Sequence, residues 1–204
     1  MRAILKKLKG KNFKDILFFL NKKSSWMIQK YRFGSFGKNS VFQKPLIIYN
    51  KKRIFISNNV TIRPGIRIEP IKRYGSQTFS PEIVIGEGTN IEQCCHITSA
   101  NKVIIGEKVT IAGFSMITDI DHDYMEIGKG ILQQDLLVKS TEIGDESFIG
   151  MGARIMPGVH IGKHCIIGAN CVVTRDIPDY SVAVGIPAKI IKKYNIITNK
   201  WERV

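Results

Sequence analysis

No apolar run in this 204-residue chain approaches the roughly 20 residues a membrane-spanning helix needs. Near the start the longest is Ile16 to Leu20, too short even for the apolar region of a signal peptide. A cytoplasmic location is therefore expected. No Cys-x-x-Cys pair occurs among the four cysteines, Cys94, Cys95, Cys165 and Cys171, and nothing implies an oxidising compartment, so free thiols are expected. Acids are nearly missing from the first 53 residues, where 15 Lys and Arg face Asp15 alone. Residues 54–204 carry 16 basic and 16 acidic side chains, so the formal charge of +14 is an N-terminal property.

That basic start, "ILKKLKGKNFKDILFFLNKK", reads first as a solvated helix docked through Ile4, Leu5, Leu8, Ile16, Leu17 and Leu20. Peripheral contact of residues 1–53 with an anionic membrane surface is the second reading. Zinc-finger spacing and a recognition-helix motif are both lacking, so nucleic acid is not expected as a partner. At 44% hydrophobic and 24% charged, the chain suits one globular domain with a small extension.

What the sequence has in abundance is a repeat of six. From Ile56 it reads ISNNVT, IRPGIR; later IGEGTN, IEQCCH, ITSANK; then IGEKVT, IAGFSM, ITDIDH; and finally IGDESF, IGMGAR, IMPGVH, IGKHCI, IGANCV, VTRDIP. An aliphatic residue leads each unit, Gly often follows, and the fifth place is often small or β-branched. Six residues suit a short strand plus a turn, with Gly supplying freedom at the bend. Stacked turns place the leading residues above one another as a continuous apolar column. The expected fold is an all-β solenoid. Cys95, Cys165 and Cys171 occupy fifth places, which marks them as small buried residues and not as nucleophiles.

Residues 143–194, "IGDESFIGMGARIMPGVHIGKHCIIGANCVVTRDIPDYSVAVGIPAKIIKKY", resemble the C-terminal half of bacterial hexapeptide-repeat acyltransferases, above all the sugar O-acetyltransferases. The resemblance implies a left-handed parallel β-helix, a homotrimer with sites between subunits, and acetyl-CoA as acyl donor. It also implies an acceptor that is a small molecule or a glycan, such as a capsule or lipopolysaccharide precursor. An N-acyltransferase acting on an amino nucleotide-sugar and a non-catalytic scaffold remain the other readings.

In this family a long loop leaves the β-helix beside a catalytic His. Here "ITDIDHDYMEIGKGILQQDLLVKSTEIGDESF" interrupts the repeat at about 118–142, and His122 matches that position. A neutral imidazole can take the proton of an attacking hydroxyl and return it to the thiolate leaving group. Relatives often carry Asp-His-x-His; Ile120 stands at the earlier His place, so His122 is expected to act alone. A carboxylate could hold its tautomer, and Asp119, Asp121 and Asp123 stay open for that role. Of the remaining histidines, His96 is expected outward near a subunit contact, and His160 and His164 in solvent. Gamma-type carbonic anhydrases share the fold and bind zinc, but their His spacing is not reproduced here, and no metal is expected.

The resemblance carries coenzyme A contacts onto Gly150 and Met151, Ala169, Thr174 and Arg175, with Lys189 and Lys192 meeting the phosphates. Met151 stands where Ser is common. The chain is accordingly divided into a basic helical region (1–40), the β-helix (41–178) and a closing segment with a C-terminal helix (179–204). The break "PIKRYGSQTFSPE" is expected to be an excursion that shapes the acceptor site.

Overall fold

The computed structural model describes residues 29–204. The expected basic helical region lies outside them for residues 1–28; residues 29–32 are helical, and Ser35–Phe36 is already a strand of the solenoid. The chain winds through three parallel sheets in turn. The first holds Ile54–Ile56, Glu82–Ile85, Lys102–Ile105, Thr141–Ile143 and His160–Ile161. The second holds Thr61–Ile62, Asn90–Ile91, Thr110–Ile111, Phe148–Ile149 and Ile166–Ile167. The third holds Arg67–Pro70, His96–Ser99, Met116–Thr118, Arg154–Ile155 and Val172–Val173.

The six-residue period becomes burial. Ile56, Ile85, Ile105, Ile143 and Ile161 stand in register up the first sheet. Ile68, Ile97, Ile117, Ile155 and Val173 do so up the third, and all are sealed from solvent. Burying each Ile is worth about 1.5–3 kcal/mol, so the ladders supply the main stabilisation. Within the uninterrupted coils, fifth-place residues form the second buried column. Where they are polar they bond to the next coil: Thr89 donates to the Gly106 carbonyl at 2.7 Å and Ser147 to that of Gly162 at 2.9 Å. Cys95, Cys165 and Cys171 do the same with their thiols, toward Ala112, Pro178 and Gly185. They are free thiols, as is the exposed Cys94, and burial pushes Cys95 up to about 11 and raises the other two.

Glycine has two separate jobs. At the fourth place of most units the chain is left-handed with or without glycine, with φ from 52° at His164 to 63° at Phe114 for other residues and from 70° at Gly152 to 79° at Gly158 for glycine. At the second place the need is space. A Cβ on Gly144 would lie 2.6 Å from the Gly162 carbonyl carbon of the next coil.

The expected C-terminal helix is replaced by strands. Ser181–Val184 joins the second sheet, and Lys189–Asn195 and Lys200–Arg203 add to it as an antiparallel hairpin. Lys189, Ile191 and Lys193 are exposed while Ile190, Lys192 and Tyr194 are half-buried, a period of two that suits a strand. Asn195 Oδ1 accepts the Ile197 and Thr198 amides, and Asn199 is left-handed, so these residues turn the chain back. The open edge left by Ser181–Val184 offers unpaired backbone groups that the hairpin satisfies.

Candidate active site

Both interruptions of the repeat leave from the end of a third-sheet strand and return to a first-sheet strand. The first carries the hairpin Arg73–Tyr74 with Gln77–Thr78. The second carries Ile120–His122, paired antiparallel with Leu136–Val138. The two are bonded to each other. Gln77 Oε1 accepts the Leu136 amide at 2.7 Å, and Gln77 Nε2 donates to the Leu136 carbonyl at 3.2 Å, so a side-chain amide acts as one more rung of the hairpin. Tyr74 Oη donates to the Leu132 carbonyl at 3.0 Å.

Between the excursions and the outer face of the third sheet lies a cleft of about 440 Å³. Its floor is the outward register of the third sheet: Arg67, His96 and Met116 in one row, Glu69, Thr98 and Thr118 in the other. Tyr74 and Ile71 come from the first excursion, His122, Asp121 and Leu136 from the second.

His122 is half-buried at the rim, because the short strand that carries it pairs back on Leu136 instead of running into solvent. Its Nδ1 lies 3.4 Å from Tyr74 Oη, and the two rings meet edge-on with centroids 5.6 Å apart. The three aspartates beside it all turn to backbone. Asp119 is completely buried; its Oδ1 accepts the Ala100 amide, and its Oδ2 accepts the Asn101 amide and the Ser99 hydroxyl. Asp121 Oδ1 accepts the amide of His122, and Asp123 Oδ1 accepts those of Tyr124 and Met125. Among the described residues Tyr74 is the hydrogen-bond partner of the His122 ring.

The cleft floor holds a second cluster. Glu69 Oε2 receives Arg67 Nη2 at 2.6 Å, and His96 Nε2 lies 2.9 Å away. His96 also meets Thr98 Oγ1 at 2.9 Å. Burial lowers the His96 pKa, with Arg67 in the same direction and Glu69 opposing. His96 thus points outward as expected, but into the cleft. Nothing in the repeat marks Glu69 or Arg67 as site residues; Tyr74 could be suspected only from the break in the hexads. His160 and His164 are exposed, beside Glu142 and Glu146. Among the described residues no group of three or more His, Cys, Asp or Glu could hold a metal ion.

The residues expected to hold coenzyme A lie elsewhere. Gly150, Met151 and Ala169 stack at the corner between the second and third sheets, with the Asn170 amide donating to the Met151 carbonyl at 2.8 Å. Gly150 is also required by the coil, since a Cβ there would lie 2.6 Å from the Ala169 nitrogen. Thr174 and Arg175 are exposed beyond Val173, where the chain leaves the third sheet, and Lys189 and Lys192 sit on the C-terminal hairpin. None of these residues lines the His122 cleft.

Comparison with known proteins agrees with this architecture. The bacterial transferase hexapeptide (six repeats) family matches residues 140–175. A protein of Escherichia coli K12 named as a lipopolysaccharide biosynthesis O-acetyl transferase, WbbJ, is 31% identical over 170 residues, 80% of this chain and 83% of that one. A protein of Mycobacterium tuberculosis named as an acetyltransferase is 34% identical over 63% of this chain, which spans only 40% of that relative's length. Among solved structures, a maltose O-acetyltransferase from Clostridium difficile 630 superposes with a TM-score of 0.62 at 26% identity, covering 94% of this chain and 83% of that one. AntD, an N-acyltransferase from Bacillus cereus solved with dTDP and 3-hydroxybutyryl-CoA, shares the fold with a TM-score of 0.70 at 21% identity, covering 84% and 89%. With the repeat, the three-sheet coil and these likenesses together, the chain belongs to the bacterial hexapeptide-repeat acyltransferases.

Proposed function

We propose that this protein transfers an acetyl group from acetyl-CoA to a sugar hydroxyl, with His122 as general base. The observation that carries the reading is the placement of His122 at the rim of a cleft whose polar floor and apolar sides match the mixed surface of a sugar ring. The acceptor hydroxyl gives its proton to His122 Nε2 as its oxygen attacks the thioester carbonyl. The C–S bond breaks, and the imidazolium returns the proton to the departing thiolate. General-base assistance of this kind contributes roughly 10²–10⁴-fold. A backbone N–H meets the developing oxyanion.

The donor lies along the corner made by Gly150, Met151 and Ala169, with Thr174 and Arg175 nearby and Lys189 and Lys192 on the phosphates. Lysines there act as point charges and not as bidentate clamps. Because these residues lie outside the His122 cleft, the reading places the reaction between the cleft of one copy and the donor corner of the next, in a homotrimer. The named activities of WbbJ and of the maltose O-acetyltransferase support a glycan hydroxyl as acceptor. The reading includes a cytoplasmic location, with the basic N-terminus touching an anionic membrane surface.

The test is the rate of CoA release from acetyl-CoA with matched hydroxyl and amino sugars. Wild type is expected to prefer the hydroxyl acceptor, and His122→Ala to lose at least about 10²-fold. Equal rates for the two proteins would end the mechanism. A clear preference for the amine would move the protein to the N-acyltransferases.

A further inference from the structure

We propose that Tyr74 is the positioning residue that sets the tautomer and orientation of His122, the role an aspartate was expected to fill. The inference rests on the reading of His122 as the base, but its physical content is separate from it.

A tyrosine hydroxyl has one proton to give and lone pairs to accept with. The Leu132 carbonyl, 3.0 Å from Tyr74 Oη, can only accept, so it takes that proton. The contact between Tyr74 Oη and His122 Nδ1, at 3.4 Å, then has one consistent polarity: Nδ1 carries the hydrogen and the tyrosine oxygen receives it. The second ring nitrogen, Nε2, is left with its lone pair, the state a general base needs. Hydrogen bonds at such sites are often long before substrate arrives, so 3.4 Å suits a bond that tightens in the working complex.

The surroundings leave the task to Tyr74. Asp119 is bound within the Ser99–Asn101 turn, and Asp121 and Asp123 serve backbone amides. Tyr74 is itself held on a hairpin that Gln77 locks to Leu136, the residue paired with His122 across the strand. The hydroxyl is thus referenced to the returning half of the His122 excursion, through Leu132 and through Leu136. A neutral hydroxyl in this place also leaves the transient imidazolium less stabilised than a carboxylate would, which favours return of its proton to the thiolate.

The experiment is nitrogen-15 NMR of the histidine side chains, with His122 assigned from its loss in His122→Asn. With the imidazole neutral, wild type is expected to show Nδ1–H and a bare Nε2. Tyr74→Phe keeps the ring edge and removes only the hydroxyl; it is expected to shift His122 toward the Nε2–H form. It should also lower kcat by about tenfold, with KM for acetyl-CoA unchanged. A wild-type protein in the Nε2–H form overturns the proposal whether or not any variant folds, and so does a tautomer unchanged in folded Tyr74→Phe. If His122→Ala keeps full activity, the proposed function falls while the tautomer assignment stands on the spectrum alone.

Discussion

Asp119 and Asp121 are two residues apart in sequence and opposite in environment. Asp119 is completely buried and accepts three donors, from Ser99, Ala100 and Asn101, whereas Asp121 is exposed. Removing the Asp119 carboxylate strands those donors, and each unsatisfied buried donor costs about 1–3 kcal/mol. Asp119→Ala is expected to lose about 3 kcal/mol in urea unfolding. Asp121→Ala should stay within about 0.5 kcal/mol of wild type. Activity of Asp119→Ala should fall in proportion to its folded fraction; full stability with lost turnover would restore Asp119 to the chemistry. His96 adds a pH term. Its folded pKa is lowered, so the unfolded chain binds more protons in the window below the ordinary histidine value, and stability falls as pH drops through that window.

Among the elements, the corners of the coil decide what the sequence can hold. Gly144→Ala would press a methyl against the Gly162 backbone at 2.6 Å, and overpacking of this kind costs about 1–3 kcal/mol. Gly130→Ala, on the excursion, meets nothing nearer than 3.6 Å and should change the melting temperature little. A reversed order of the two melting temperatures would refute the packing account of the second-place glycines. The excursions follow a different rule. They have no repeat to bind them and are joined by a few polar bonds, with Gln77 making two of them to one residue. Gln77→Ala is expected to raise KM for the acceptor or lower kcat while leaving the unfolding midpoint near wild type, because the coil beneath does not depend on that bond.

At the scale of the whole molecule, the proposed function makes assembly part of the chemistry, because the residues proposed to hold the donor lie outside the His122 cleft. Sedimentation equilibrium is expected to show three chains per particle. Mixing His122→Ala chains with Lys189→Glu/Lys192→Glu chains should then restore activity that neither has alone, since a mixed trimer pairs an intact cleft with an intact corner. No recovery from mixtures shown to have exchanged subunits would place the whole site within one chain.

The solenoid was legible because its cause is local and repeated: every leading Ile must be buried, and a period of six with turn residues between leaves one way to stack them. The place of His122 was legible for the same reason, as the point where that period stops. The C-terminal hairpin was not, because "AKIIKKYNIITNKW" carries apolar residues compatible with a helix, and the open edge of Ser181–Val184 selected the strand. The partner of His122 was not legible either. Three aspartates lie within three residues of His122 in sequence, yet each is drawn to a backbone amide, while Tyr74 comes from 48 positions away. The sequence by itself determined the coil, its ladders and the break that carries the candidate base. Only the tertiary structure decided what faces that base, because hydrogen-bond partners are chosen by the stacking of coils and not by nearness along the chain.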